Sequence, residues 1–134
     1  MLISLDTSSS IPIYVQLRNQ IVTGIGRGEL KEGERLPTVR QLAEDAGVNT
    51  MTVNKTYQLL KMEGFITIDR RRGATVSPVR QWDEKYREKL EAELELLSAE
   101  ARMKGMEQAE FLALCEQIFS GMRDSKQQVP EEAY

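Results

Sequence analysis

The chain has 134 residues, 40% of them apolar and 29% charged, with a net charge of −3; this suits one ordinary globular domain with an appendage, and no apolar run approaches the roughly 20 residues of a membrane span. With no histidine and a single cysteine, Cys115, the usual zinc sites, histidine-based acid/base catalysis and an internal disulfide are excluded. The start MLISLDTSSS lacks the basic head and long apolar core of a signal peptide, so the expectation is a cytoplasmic protein with no catalytic residues, no metal and no cofactor.

Residues 1–10 read as an arm with little structure of its own, although Leu2, Ile3 and Leu5 are apolar enough to dock on the body. From Pro12 to about Arg27, Ile13, Leu17, Ile21 and Ile25 recur every four positions, which predicts an amphipathic helix opened by its proline. Gly24, Gly26 and Gly28 weaken the last turn, each by about 1 kcal/mol relative to alanine, so this end is expected to fray. They do not follow a strand and lack the spacing of a phosphate-cradling loop. A turn at 30–34 leads to Arg35-Leu36, a candidate short strand.

The run LPTVRQLAEDAGVNTMTVNKTYQLLKMEG predicts two short helices around a tight turn. Thr38, with Gln41 three residues on, has the spacing of a capping box. Gly47 ends the first helix near Ala46, Asn49 caps the second, and Gly64 stops it after Glu63. Leu42, Val48, Val53, Tyr57, Leu60 and Phe65 are assigned to one interior, and the small Ala43 lets the helix axes approach. This is the pattern of a helix-turn-helix, whose second helix enters the DNA major groove; an αα-hairpin of an unrelated bundle shares it.

Two short extended runs follow, Phe65 to Asp69 and Ala74 to Ser77, with Arg70-Arg71-Arg72-Gly73 between them. A hairpin tipped by three arginines directly after such a helix reads as a wing that lies along phosphates or reaches into a minor groove; taken alone, it also fits a solvated basic turn. Helix, short strand, two helices and hairpin make a winged helix-turn-helix over residues 11–78.

Beyond Pro78 the pattern changes. From about Gln81 to Lys104 the charged sequence places Tyr86, Leu90, Leu94, Leu97 and Ala101 on one narrow face, close to a coiled-coil seam. After Gly105, a helix from about Glu107 to Met122 carries Phe111, Cys115, Ile118 and Phe119 on a wide apolar face. Two helices of this size cannot close a core alone. The expected fold is therefore mainly α with a small β-hairpin, with residues 79–123 forming a two-helix C-terminal dimerisation hairpin through Tyr86, Leu90, Leu94, Leu97, Phe111, Cys115, Ile118 and Phe119. The alternative is a hairpin folded back on its own winged domain. Trp82, Tyr86 and the last helix are candidate walls for a small-molecule effector that nothing names; Trp82 equally suits packing at the domain junction. Residues 124–134 read as a disordered tail.

Charge divides the same way. Residues 1–80 hold eleven Lys/Arg and eight Asp/Glu, a net +3, and residues 81–134 hold seven and thirteen, a net −6. The local field of the front half suits nucleic acid better than the whole-chain charge suggests.

The run from Leu36 to Ile66, the opening IPIYVQLRNQI, the lead-in GELKEGERLPTVR and the wing ending GATV together resemble the GntR family of bacterial transcriptional regulators. With only two helices after the winged domain, the chain is similar to the YtrA-type subgroup. The resemblance implies a homodimeric repressor on a palindromic operator of double-stranded DNA, its targets often including a membrane transporter operon. It makes Arg40 a contact to the DNA backbone and nearby bases, Thr52 a phosphate contact, and Gly73 the second glycine of the wing. Thr50 stands where many members have arginine, Arg71 replaces the first wing glycine, and Thr75 replaces the usual aromatic residue.

The DNA-binding candidates are thus Arg40, Asn49, Thr50, Met51, Thr52, Asn54, Lys55, Arg70, Arg71, Arg72 and Gly73. Asn54 suits an adenine edge, Met51 a thymine methyl, and Lys55 a phosphate or guanine; Thr50 and Thr52, near a helix N-terminus, suit phosphate oxygens. Asn54, Lys55 and Gln58 also fit plain solvated surface. The competing function is a winged-helix module that binds protein and never DNA, which would need an exposed apolar patch on the second helix.

Overall fold

A computed structural model describes residues 3–123, so the expectations for Leu2 and for the tail at 124–134 lie outside the described residues. The described chain falls into two compact units, one taking in the residues up to Val79 together with Arg123, the other Arg80–Met122.

In the first unit, α1 (Ile13–Gly26) follows Pro12, whose carbonyl accepts the N–H groups of Val15 and Gln16 at 3.0 Å each. Its four-residue stripe points inward, with Leu17 and Ile21 fully buried. The expected fraying does not match its end: the N–H of Gly28 bonds the Ile25 carbonyl at 3.1 Å and that of Glu29 bonds Gly24 at 2.9 Å, a paired stop that satisfies carbonyls a fraying turn would leave open. Gly24 is itself buried, and Leu30 packs over it.

The arm is more ordered than its composition suggests. Gln16 and Gln20, one turn apart on α1, present their amides to the arm as a neighbouring strand would. Gln16 accepts the Asp6 N–H at 2.8 Å and donates to the Asp6 carbonyl at 2.9 Å; Gln20 accepts the Ser4 N–H at 2.9 Å and donates to the Ser4 carbonyl. Ile3 and Leu5, in alternation with these residues, pack against the core.

Helix α2 (Val39–Ala46) is capped by Thr38, whose hydroxyl accepts the Gln41 N–H at 3.1 Å. The return half of the capping box is not made; the Gln41 side-chain amide nitrogen donates to Asp45 Oδ1 at 3.1 Å. Gly47 takes φ +70°, where a side chain is strained, and the chain turns into α3 (Thr50–Met62). Of the assigned interior residues, Leu42, Val53, Tyr57 and Leu60 are buried with Ala43, while Val48 and Phe65 are half-buried against them.

Strands β1 (Ile66–Asp69) and β2 (Gly73–Val76) pair antiparallel, with Ile66 opposite Val76 and Asp69 opposite Gly73. The expected third piece is present: Arg35 bridges to Thr75, and the Leu36 N–H bonds the Ala74 carbonyl at 2.8 Å. Arg18 on α1 clasps Glu63, just past α3, through two hydrogen bonds of 2.9 Å, with its guanidinium 5.4 Å from the centre of the Phe65 ring.

The second unit contains α4 (Glu84–Met103) and α5 (Gln108–Ser120). The charged pattern suggested a start near Gln81; the helix begins later because the Asp83 carboxylate caps it, accepting the Tyr86 N–H at 2.8 Å. No residue of either helix is buried.

Two stability outcomes follow from the first unit. A Cβ added at Gly24 lies 3.5 Å from the nearest Leu30 carbon, an ordinary contact, so Gly24→Ala is expected to raise unfolding free energy by about 0.5–1 kcal/mol in urea titrations. Burial pushes the Tyr57 hydroxyl above the ordinary tyrosine value. The folded state therefore holds this proton while the unfolded chain releases it, and stability falls as pH rises beyond about 10. Tyr57→Phe removes that part of the alkaline slope and, by leaving the Pro37 carbonyl unpaired, costs about 1–3 kcal/mol at neutral pH.

Candidate nucleic-acid interface

The orientation of α3 is set by two adjacent buried hydroxyls. Thr56 Oγ1 lies 3.0 Å from the Tyr14 carbonyl on α1 and 3.1 Å from the Thr52 carbonyl one turn back. Tyr57 donates its hydroxyl to the Pro37 carbonyl, just ahead of α2, at 2.6 Å. With residues about 100° apart around a helix, these bonds direct one flank of α3 toward α1 and the next toward α2. The opposite arc carries Thr50, Met51, Asn54, Lys55 and Gln58, all exposed.

On this arc, Met51 is 80% exposed. Asn54 makes no side-chain hydrogen bond among the described residues, so its amide can present a donor and an acceptor together, the pairing an adenine edge offers. Lys55 is differently placed: its Nζ lies 4.0 Å from the centre of the Tyr14 ring.

Asn49 and Thr52 stand at the head of α3 as a mutual cap. Asn49 Oδ1 accepts both the Thr52 N–H at 2.8 Å and the Thr52 hydroxyl at 3.0 Å. A phosphate oxygen can only accept, so contact through Thr52 requires its hydroxyl to leave Asn49, whereas the Asn49 amide nitrogen remains a donor. Arg40, in the first turn of α2, is exposed and its guanidinium has no partner among the described residues.

At the wing, Arg70, Arg71 and Arg72 are exposed between the paired ends Asp69 and Gly73. Gly73 takes φ +72°, as the turn requires. Asp69 Oδ1 accepts the N–H of Arg71 at 2.8 Å and of Arg72 at 2.6 Å, so one carboxylate holds the loop backbone while the three guanidinium groups stay outside. Across the sheet the hydroxyls of Thr67 and Thr75 lie 2.9 Å apart. Thr75 thus has a cross-strand partner in place of an aromatic contact.

Sequence reasoning passed over Tyr14, Thr56 and Asp69. Asp69 had a readable signal, an aspartate two and three residues before the amides of a tight turn; Tyr14 and Thr56 had none, since their pairing depends on how α1 crosses α3. Of the candidate ligand walls, Trp82 is 66% exposed; within the second unit a shallow space of about 480 Å³ lies at the α4–α5 turn, lined by Glu100, Ala101, Lys104, Gly105, Met106 and Glu110. No helix among the described residues is long and apolar enough to cross a membrane.

Residues 13–76 match the family profile described as "Bacterial regulatory proteins, gntR family". The chain is 41% identical over 76 residues to the HTH-type transcriptional repressor YtrA of Bacillus subtilis, covering 57% of this chain and 58% of that protein. It is 40% identical to a solved structure, YtrA from Sulfolobus acidocaldarius, a GntR-family transcription factor, with a TM-score of 0.59, covering 70% of this chain and 98% of the other. A transcriptional antiterminator from Listeria monocytogenes EGD-e, 25% identical, superposes with a TM-score of 0.80 over 89% of this chain and 93% of its own. All three are named for control of transcription and none for an enzymatic activity. Sharing the winged helix-turn-helix and a 40% identical relative matched over nearly its whole length, the chain belongs to the gntR family of bacterial regulatory proteins and is YtrA-like within it.

Proposed function

We propose that the chain is a sequence-specific DNA-binding transcriptional regulator that works as a homodimeric repressor on a palindromic operator, controlling a membrane transporter operon. The observation that carries the reading is the exposed arc of α3. Its side chains are threonine, amide, thioether and lysine, with the arginine-tipped wing following α3 in the same unit. An apolar arc would have suited a protein-binding module; this one suits base edges and phosphates. The repressor role follows the Bacillus subtilis relative, itself a transcriptional repressor by name, and the transporter target follows the YtrA-type resemblance.

Support for two copies comes from the second unit. Leu90 and Leu94 are each 41% exposed, Leu97 54%, Ile118 56% and Phe119 78%, and Cys115 is exposed beside them. Helices with apolar seams and no buried residue need a cover, and a second copy supplies the same seam. A two-fold pair also presents two α3 helices to half-sites about one DNA turn apart.

Enrichment of duplexes from a randomised library is expected to return an inverted repeat, and footprinting on genomic DNA to place it at a promoter upstream of transporter genes. Recovery of no preferred sequence at low ionic strength would sink the reading. Arg40→Ala should weaken binding to the enriched and a scrambled duplex alike, lowering the salt slope by about one. Asn54→Ala should instead relax sequence choice, with about 1–3 kcal/mol of discrimination lost at one base pair. In sedimentation equilibrium the wild-type protein should run as two copies and Leu94→Glu as one; a single-copy wild type would remove the palindrome from the proposal.

A further inference from the structure

We propose that Tyr14 is a positioning residue for DNA binding: its ring holds the Lys55 ammonium at the α1 edge of α3, where it meets a phosphate and not a base. The inference rests on the DNA-binding reading above and assigns the part Lys55 plays in it.

The rotation of α3 decides which of its side chains face bases. Thr56 looks to α1 and Tyr57 to the segment before α2. Opposite them, Met51, Asn54 and Gln58 occupy the middle of the exposed arc. Lys55, one residue before Thr56, sits at the border of that arc on the α1 side, and Thr50 sits at the other border. A helix with its side chains is about 10–12 Å across, and the major groove is about 12 Å wide. A helix filling the groove turns the middle of its arc to the base edges and its two borders to the phosphate walls. Lys55 therefore faces a wall.

Tyr14 then fixes where along that wall the charge lies. A lysine head is a compact cation on a flexible stem, and holding it in one place is entropically costly. The Tyr14 ring lies 4.0 Å from Nζ, well inside the roughly 6 Å over which a ring face attracts a cation. The backbone that carries the ring is anchored in turn, because the Tyr14 carbonyl is the acceptor for the buried Thr56 hydroxyl. One face of the ammonium is thus occupied by the ring, leaving N–H groups on the other for a phosphate oxygen. The same α1–α3 crossing that closes the core sets the cation before DNA arrives.

The test is a double-variant cycle, read by titrating the library-enriched duplex and a scrambled duplex over a range of salt. Lys55→Met should weaken both duplexes equally and lower the salt slope by about one, with base preference unchanged. Tyr14→Leu should weaken both about threefold to fivefold, and should add nothing in the Lys55→Met background. Tyr14→Phe keeps the ring face and should bind within about twofold of wild type. Tyr14→Met serves in place of the leucine variant if that variant unfolds. The inference is overturned if loss of the ring weakens the Lys55→Met protein as much as it weakens wild type, if Tyr14→Phe loses as much as Tyr14→Leu, or if Lys55→Met changes which base is preferred. Failure of the wild-type protein to bind any duplex would overturn the DNA-binding reading itself, an outcome visible before any variant is made.

Discussion

The first unit depends on two neighbouring hydroxyls satisfied in different directions. Thr56 and Tyr57 lie side by side on the buried flank of α3, 0% and 3% exposed. A buried hydroxyl without a partner costs more than the bond itself contributes. Thr56 always has the Thr52 carbonyl of its own helix within reach but meets the Tyr14 carbonyl only if α1 crosses there, and Tyr57 finds its acceptor only if the chain enters α2 at Pro37. Apolar packing around Val53 and Leu60 tolerates some rotation of the helix, since it is not directional. The two hydroxyls do not, and they fix the azimuth at which α3 shows its other side.

That azimuth gives the exposed arc its chemistry. With the buried flank held by α1 and the segment before α2, the residues on the opposite side are left to solvent, and none of them is part of the buried core. The wing follows the same economy: Asp69 holds the backbone of the loop, so the arginine side chains are not required to build it. The negative charge of Asp69 is turned inward to two amides while three positive charges face out. In both places a polar group that shapes the backbone releases its neighbours for a ligand.

This separation explains what could be read in the sequence. The stripe on α1, the caps at Thr38 and Asn49, the turn at Gly47 and the two wing strands leave marks at fixed short spacings, and each is present. The Gln16 and Gln20 amides that hold the arm leave none, because a glutamine on a helix surface reads as solvated unless the arm's path is known. Thr56 falls outside the apolar pattern yet is fully buried, since its hydroxyl finds carbonyls on two turns of structure. The end of α1 departs from its expectation for a related reason. Glycine propensity counts against a helix, but the count omits the paired amide-to-carbonyl stop and the Leu30 side chain covering Gly24. For the interface, residue types marked Arg40, Asn54 and Lys55 as polar and outward, while the difference between Asn54 in the middle of the arc and Lys55 at its border required the rotation.

The second unit follows a different logic. Its helices are capped by their own side chains, Asp83 for α4 and Glu110 returning to the Glu107 N–H for α5, and carry exposed ion pairs such as Arg87 with Glu91. Such pairs and caps contribute tenths of a kcal/mol to about one each, which does not replace burial in holding helices of this length. If the cover is a second copy, as proposed, the order of these helices becomes linked to protein concentration, and only paired chains would present two α3 helices at once. The acidic balance of this unit then has a physical consequence: phosphates repel it, so a paired chain meets duplex DNA through its basic units, at the face that carries the wing.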